Sequence, residues 1–292
     1  MSNQEISEKD DRFKLMELGI PYNVTHMKSG NTLCSDDSLV ILQNGATTLE
    51  IRTPPKFEAK QIPWHDGLIR DIVWSSELKV FVLLTKKSLF TFDSKTTDCA
   101  AGTAHDDSQL KIKAYSNVKP YNDKALFWRC ACVDTKLFIS YSGSSTVIDE
   151  YILGPSSCTI VNRYEPPQTC AYNEGIWCIR THPNTKQIGM TVMNSNNNTW
   201  RFEIRDPTNL AHIWQTPLPI PHGDGEVTPL PNGDWLIVNS CGARFIQISN
   251  LAIKLAVEYE RELKNAILFR KKYFIIRTKN TLEIHLMKKE HD

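Results

Sequence analysis

The sequence predicts an all-β fold, a six-bladed β-propeller of four-stranded antiparallel blades closed by an N-terminal strand. Three observations carry that expectation. Apolar runs rich in β-branched and aromatic residues recur along the chain and are too short for helices. Polar breaks of hairpin length separate them. The group of three runs occurs six times, with starts 33 to 60 residues apart, around the period of propeller blades.

In chain order, the polar stretch MSNQEISEKDDR at positions 1–12 reads as a disordered tail, and residues 13–292 as a single propeller domain. RFKLMELGIP, at positions 12–21, is the spare segment that would supply the outer strand of the last blade; its Leu, Met, Glu and Lys suit a short helix as well. The first unit is TLCSDDSLVILQNGATTLEIRT from Thr32. The second, HDGLIRDIVWSSELKVFVLLTKKSLFTFD from His65, shows the plan most clearly. Ile69, Ile72 and Trp74 mark one strand, residues 80–84 a continuous apolar run, and Leu89, Phe90 and Phe92 a third strand, with breaks at 75–79 and 86–87. Equivalent units start at Ala125, Gly175, Val227 and Lys264. Residues 57–63, 158–166, 210–218 and 251–259 each hold one more strand, the fourth of a blade. Residues 96–122, which include QLKIKAYSNV, have room for hidden strands, so seven blades is the alternative.

A chain of 292 residues with 41% hydrophobic content has ample material for a core. Lys and Arg number 34 against 33 Asp and Glu, so no global field points to nucleic acid or an anionic membrane. The N-terminus lacks the apolar segment of a secretory signal, and no run approaches the roughly 18 residues of a membrane span. Eight scattered cysteines without a C-x-x-C pair then read as reduced thiols in a cytoplasmic or nuclear protein.

One unit resembles a blade of the WD40 family. WHDGLIRDIVWS carries the His, the small residue and the apolar strand, through His65, Gly67 and Trp74, and LFTFD ends on the aromatic-Asp pair Phe92-Asp93. FEIRD, ending at Asp206, is a weaker match. The resemblance implies a lock made by the His, a Ser or Thr of the second strand, an Asp in the next turn and a Trp of the third strand. His65 and Thr85 fill two of those places, but Lys86 and Lys87 stand where the Asp belongs and Phe92 where the Trp belongs. A divergent WD40-like propeller is therefore expected, and the resemblance implies loop faces that receive protein or peptide partners.

Catalytic motifs are absent: there is no G-x-S-x-G, H-E-x-x-H, Walker loop or G-x-G-x-x-G. Cys130 and Cys132 share a strand face but have no further pair to complete a zinc site, so they read as buried thiols and no cofactor is expected. An alternative is a metal-dependent hydrolase, because six-bladed propellers resembling the calcium-dependent lactonases place oxygen ligands where the inner strands begin; Asp71, Glu174, Glu226 and Asn265 occupy such places. A further alternative is phosphate or RNA binding by the last blade, where residues 261–289 hold nine basic residues against two acidic ones, three of them, Arg270, Lys271 and Lys272, in one turn. Among the seven tryptophans, Trp64 is expected at a face, beside His65. The loops NSNNNT from Asn194 and PIPHGDGE from Pro219 are further recognition surfaces. Trp64, His65, Arg270, Lys271 and Lys272 are the candidate partner-binding residues of a non-catalytic interaction scaffold.

Overall fold

A strand covered on both faces by neighbouring sheets has no polar side, and in this chain the unbroken apolar runs become the second strand of each blade. The computed structural model describes residues 18–94, 112–220, 224–249 and 254–287. These form 24 strands in six four-stranded antiparallel sheets.

Chain order begins with β1 (Asn23–His26), which belongs to the last blade. Blade 1 holds β2 (Cys34–Ser35), β3 (Val40–Gln43), β4 (Thr48–Arg52) and β5 (Ala59–Pro63). Blade 2 holds β6 (Ile69–Ser75), β7 (Val80–Thr85), β8 (Leu89–Asp93) and β9 (Ile112–Ala114). Blade 3 runs through β10 (Phe127–Val133), β11 (Lys136–Tyr141), β12 (Ile148–Leu153) and β13 (Cys158–Tyr164). Blade 4 comprises β14 (Glu174–Thr181), β15 (Ile188–Asn194), β16 (Thr199–Arg205) and β17 (His212–Leu218). Blade 5 comprises β18 (Gly225–Pro229), β19 (Trp235–Asn239), β20 (Arg244–Ile248) and β21 (Lys254–Glu258). Blade 6 takes β22 (Leu263–Phe269), β23 (Tyr273–Thr278) and β24 (Thr281–Leu286), and β1 pairs with β24 as its outer strand.

The expectation of six blades with N-terminal closure is met, and two details differ. The closing strand is NVTH, from Asn23 opposite Ile284 to His26 opposite Thr281, rather than the segment at 12–21. Residues 13–17 lie outside the described residues, and Gly19 and Pro21 interrupt any strand from Leu18 onward. β9, hidden in the segment 96–122, completes blade 2 and adds no seventh blade.

Six apolar clusters fill the six seams, one between each pair of neighbouring blades. Polar side chains stitch the same seams. Gln43 accepts from the Ile69 amide at 2.9 Å and donates to the Gly67 carbonyl at 3.2 Å. Asp71 accepts from the Cys130 amide at 2.8 Å, and Thr146 from the Ile176 amide at 2.9 Å. Thr191 donates to the Gly225 carbonyl and Thr228 to the Ala266 carbonyl, both at 2.6 Å. Arg277 closes the ring by donating to the Lys28 carbonyl at 2.8 Å. Inner strands β2, β6, β10, β14, β18 and β22 meet in sequence around a central channel. They all run from one face, called upper here, to the opposite, lower face.

Candidate functional site

Four of the six inner strands carry a register break near their start, between Ile69 and Asp71, Phe127 and Arg129, Ile176 and Cys178, and Leu263 and Asn265. A bulge adds one residue and re-aims its side chain. The residues so placed at the upper mouth are Arg70, Trp128, Trp177 and Lys264. Trp128 meets Trp177 edge to face at 5.4 Å, donates its indole N–H to the Trp177 carbonyl at 2.8 Å, and carries the guanidinium of Arg129 at 4.5 Å and that of Arg70 at 5.3 Å.

Beneath the bulges an ion network crosses the channel. Arg180 holds Asp71 with two hydrogen bonds, at 2.7 and 2.8 Å, and lies 3.6 Å from Glu226. Arg129 pairs with Glu226, whose second oxygen accepts from the Cys178 thiol at 3.3 Å. Four blades contribute, and two cations meet two anions. Burial pushes the Asp71 carboxyl up from its ordinary value while Arg180 and Arg129 pull it back. At Glu226 burial also pushes upward, but Arg129 and Arg180 outweigh it and hold the group below the usual carboxylate range. Removing charges from water is costly unless partners replace the water, which the reciprocal pairing accomplishes.

Below the network the channel widens into a funnel of about 460 Å³ that opens on the lower face. All six inner strands line it: Cys34, Trp74, Cys132, Arg180, Thr228 and Ile267 are examples, one from each. Burial raises the Cys34 thiol to about 12, so it is no nucleophile at neutral pH. Thr181, also on the wall, has a buried hydroxyl without a hydrogen-bond partner among the described residues. At the rim stands the turn between β22 and β23, where Arg270 and Lys271 adopt left-handed φ values of 53° and 52°. Arg270 is held by the carbonyls of Asp37 and Ser38, at 2.6 and 3.3 Å, and Lys186 by Asp134 at 3.0 Å.

The expected residues fall in separate places. Asp71 and Glu226 come together in the network. Glu174, at the start of β14, is held by Arg201 and by the Ala171 amide, and the Arg201 guanidinium keeps its carboxyl below the usual range. Asn265 donates to the Asn31 carbonyl at 3.3 Å and lines the funnel. Among the described residues no group of three or more His, Cys, Asp or Glu is placed to hold a metal ion. Trp64 corrects the expectation of exposure: it is 1% exposed, packed on Phe90 in the seam between blades 1 and 2. His65 beside it is exposed, at the upper face, whereas Arg270, Lys271 and Lys272 are at the lower one. Thr85 bonds within its own turn, to Ser88, and Gln43 ties the seam where the WD40 lock was expected. Cys130 is buried and Cys132 half-buried at the seam of blades 2 and 3. Part of the loop from Pro219, residues 221–223, lies outside the described residues. Among the described residues no helix is long and apolar enough to cross a membrane.

No protein-family model matches the chain, and no curated protein matches its sequence. Solved structures do match its architecture. A chain in the crystal structure of the mitotic checkpoint complex superposes with a TM-score of 0.62 at 7% identity, over 99% of this chain and 97% of that one. The shared fold is the β-propeller, here of six four-stranded antiparallel blades. A luciferin-regenerating enzyme gives a TM-score of 0.62 at 12% identity, over 90% of the propeller and 92% of its own chain. A streptogramin B lyase gives 0.60 at 9%, over 91% and 98%. At such identities the likeness is one of fold alone, shared by enzymes and by a member of a protein assembly.

Arg129 and Arg180, which organise the propeller's centre, were not among the expected site residues. Their signal is present in the sequence: LIRDIVW, FWRCACV and IWCIRT each set one arginine in an apolar, tryptophan-bearing inner strand. A charge in that position is almost never fully buried unless paired.

Proposed function

We propose that this propeller is a non-catalytic interaction module that receives a protein or peptide partner at the funnel on its lower face. The observation that carries the reading is the bidentate seat of Asp71 on Arg180, with Glu226 on Arg129. A metal-dependent hydrolase needs carboxylates free to coordinate a hard cation, and here arginines occupy them. Below this neutral plug the funnel offers apolar wall, unfilled volume and a polar rim, the ingredients of a recognition site. The basic turn supports a protein contact more than a phosphate track, because Arg270 is spent on backbone carbonyls while Arg270 and Lys272 lie over Phe269 and Tyr273.

The test is affinity capture on the wild type and on an Arg270→Ser/Lys271→Ser/Lys272→Ser variant, with melting curves in EDTA and in millimolar calcium, magnesium or zinc. A partner kept by the wild type and lost by the variant supports the reading. Equal retention of every partner, or a rise of several degrees with one ion, defeats it.

A further inference from the structure

The upper mouth holds a positive charge outside the ion network. Asp71, Glu226, Arg129 and Arg180 balance one another, two against two. Arg70 adds a third guanidinium. It lies over Trp128, the indole on which Arg129 also stacks, and Arg129 donates to the Arg70 carbonyl at 2.9 Å. Burial and the nearby Arg129 cation together lower the pKa of Arg70. Of the acids near this mouth, Glu262 pairs with Lys264 and Lys279, and Asp224, hydrogen-bonded with Ser240, interacts with Arg129 and Lys264 without an ion pair to Arg70.

Hydrogen bonding shows the same imbalance. Arg70 Nε, Arg129 Nε and Trp177 Nε1 are buried donors without a partner among the described residues, and Arg129 is 6% exposed. All three atoms can only donate, so what completes them must accept. A buried donor left unmade carries its full desolvation cost. Bulges set Arg70 and Trp177 in this position, and bulges recur beside functional sites because they re-aim side chains.

We propose that the upper mouth of the channel binds an oxyanion, a carboxylate or phosphate group, on Arg70 and Arg129 beside the Trp128–Trp177 pair. An oxyanion supplies several acceptors and one or more negative charges, and a guanidinium fork is shaped for it. A neutral ligand leaves Arg70 uncompensated, and a cation is repelled by both arginines. This site is separate from the funnel and stands or falls without it.

The experiment reads tryptophan fluorescence and melting temperature during titration with sodium phosphate, with sodium acetate and with an acetylated tetraglutamate amide, at constant ionic strength. The expected result is a saturating fluorescence change and a melting rise of about 2 degrees at roughly tenfold excess over Kd. Affinity falls at least about tenfold in Arg70→Met, returns in part in Arg70→Lys, and is unchanged in Lys271→Ala. Response to phosphate or acetate assigns the site to free oxyanions, and response to the peptide alone assigns it to a partner's carboxylates; both uphold the proposal. Non-saturating changes with all three probes, or equal affinity in Arg70→Met, overturn it. Should circular dichroism show Arg70→Met unfolded, Arg70→Gln replaces it under the same criteria.

Discussion

Arg52 in blade 1 and Arg205 in blade 4 share two contacts. Each pairs with the glutamate two residues before it, Glu50 or Glu203, at 2.7 and 2.5 Å, and each donates to the carbonyl five residues after it, of Phe57 at 2.9 Å and of Leu210 at 3.0 Å. Phe57 and Leu210 both turn the chain with left-handed φ, 56° and 57°. The buried pair therefore fixes the bend between third and fourth strands. Arg205→Met leaves Glu203 buried, at 2% exposure, with the single cation Arg201. A loss of about 3 to 5 kcal/mol is expected, the scale for breaking a buried pair from one side. Urea unfolding measures it, and a loss below about 1 kcal/mol would show that the bend holds without the arginine.

That pairing is carried in sequence by LEIR at 49–52 and FEIR at 202–205, and LEIH at 282–285 sets Glu283 and His285 at the same spacing, a blade signature more faithful to this chain than the WD40 pattern. The second strands were legible because burial on both faces leaves only apolar choices, as in VFVLLT and YFIIRT. Short edge elements were not: β2 has two residues and β9 three, too few for any period to show. Trp64 misled because Pro63 and His65 flank it, while its ring turns inward onto Phe90. Of the site, the acids Asp71 and Glu226 were legible by position along their strands. Their pairing with Arg180 and Arg129 depends on contacts between residues as far as 109 positions apart, which no local pattern records.

Gly189 in β15 gives Trp235 its place. A Cβ at Gly189 would sit 2.7 to 2.9 Å from three carbons of the indole. The ring has little room to retreat, since it is 1% exposed and lies against Phe202 at 5.4 Å and His182 at 5.3 Å. Gly189→Ala is expected to cost about 1 to 3 kcal/mol by overpacking. Adding Trp235→Phe should recover part of the loss, so that the double variant melts above the sum of the single losses. Strict additivity would place the strain elsewhere.

Two histidines make the propeller sensitive to mild acid. Burial lowers the pKa of His182 and of His285 against the upward pull of their carbonyl partners, Leu230 and Gly19. His182 Nε2 bonds the Leu230 carbonyl, and its Nδ1 accepts from the Asn184 and Thr185 amides, an arrangement that requires the neutral ring. The folded state therefore binds fewer protons than the unfolded one near the ordinary histidine value of about 6.5. Stability is full above that pH and is lost as pH falls through the window down to the lowered folded values. Melting curves between pH 7.5 and pH 5 should show the decline, and His182→Gln/His285→Gln should flatten it. An unchanged slope in the double variant would assign the effect to other groups.

Asp71 becomes sensitive to acid when it is separated from Arg180. In the intact pair the cation offsets the burial that raises the Asp71 carboxyl. Arg180→Met removes that offset and leaves the carboxylate with the amides of Cys130 and Ile72. Its folded pKa then stands further above the unfolded value of about 3.9. A carboxyl raised on folding contributes stability below its unfolded pKa and loses it as pH rises through the folded one. Relative to wild type, Arg180→Met should therefore be most destabilised at pH 7 and recover toward pH 5, whereas Asp71→Asn/Arg180→Met should lack this recovery. The coupling at pH 7 from the two single variants and the double is expected at about 1 to 3 kcal/mol. A coupling near zero with no recovery in acid would mean that the ion network is not what seals the channel, and that Asp71 is held by its backbone amides alone.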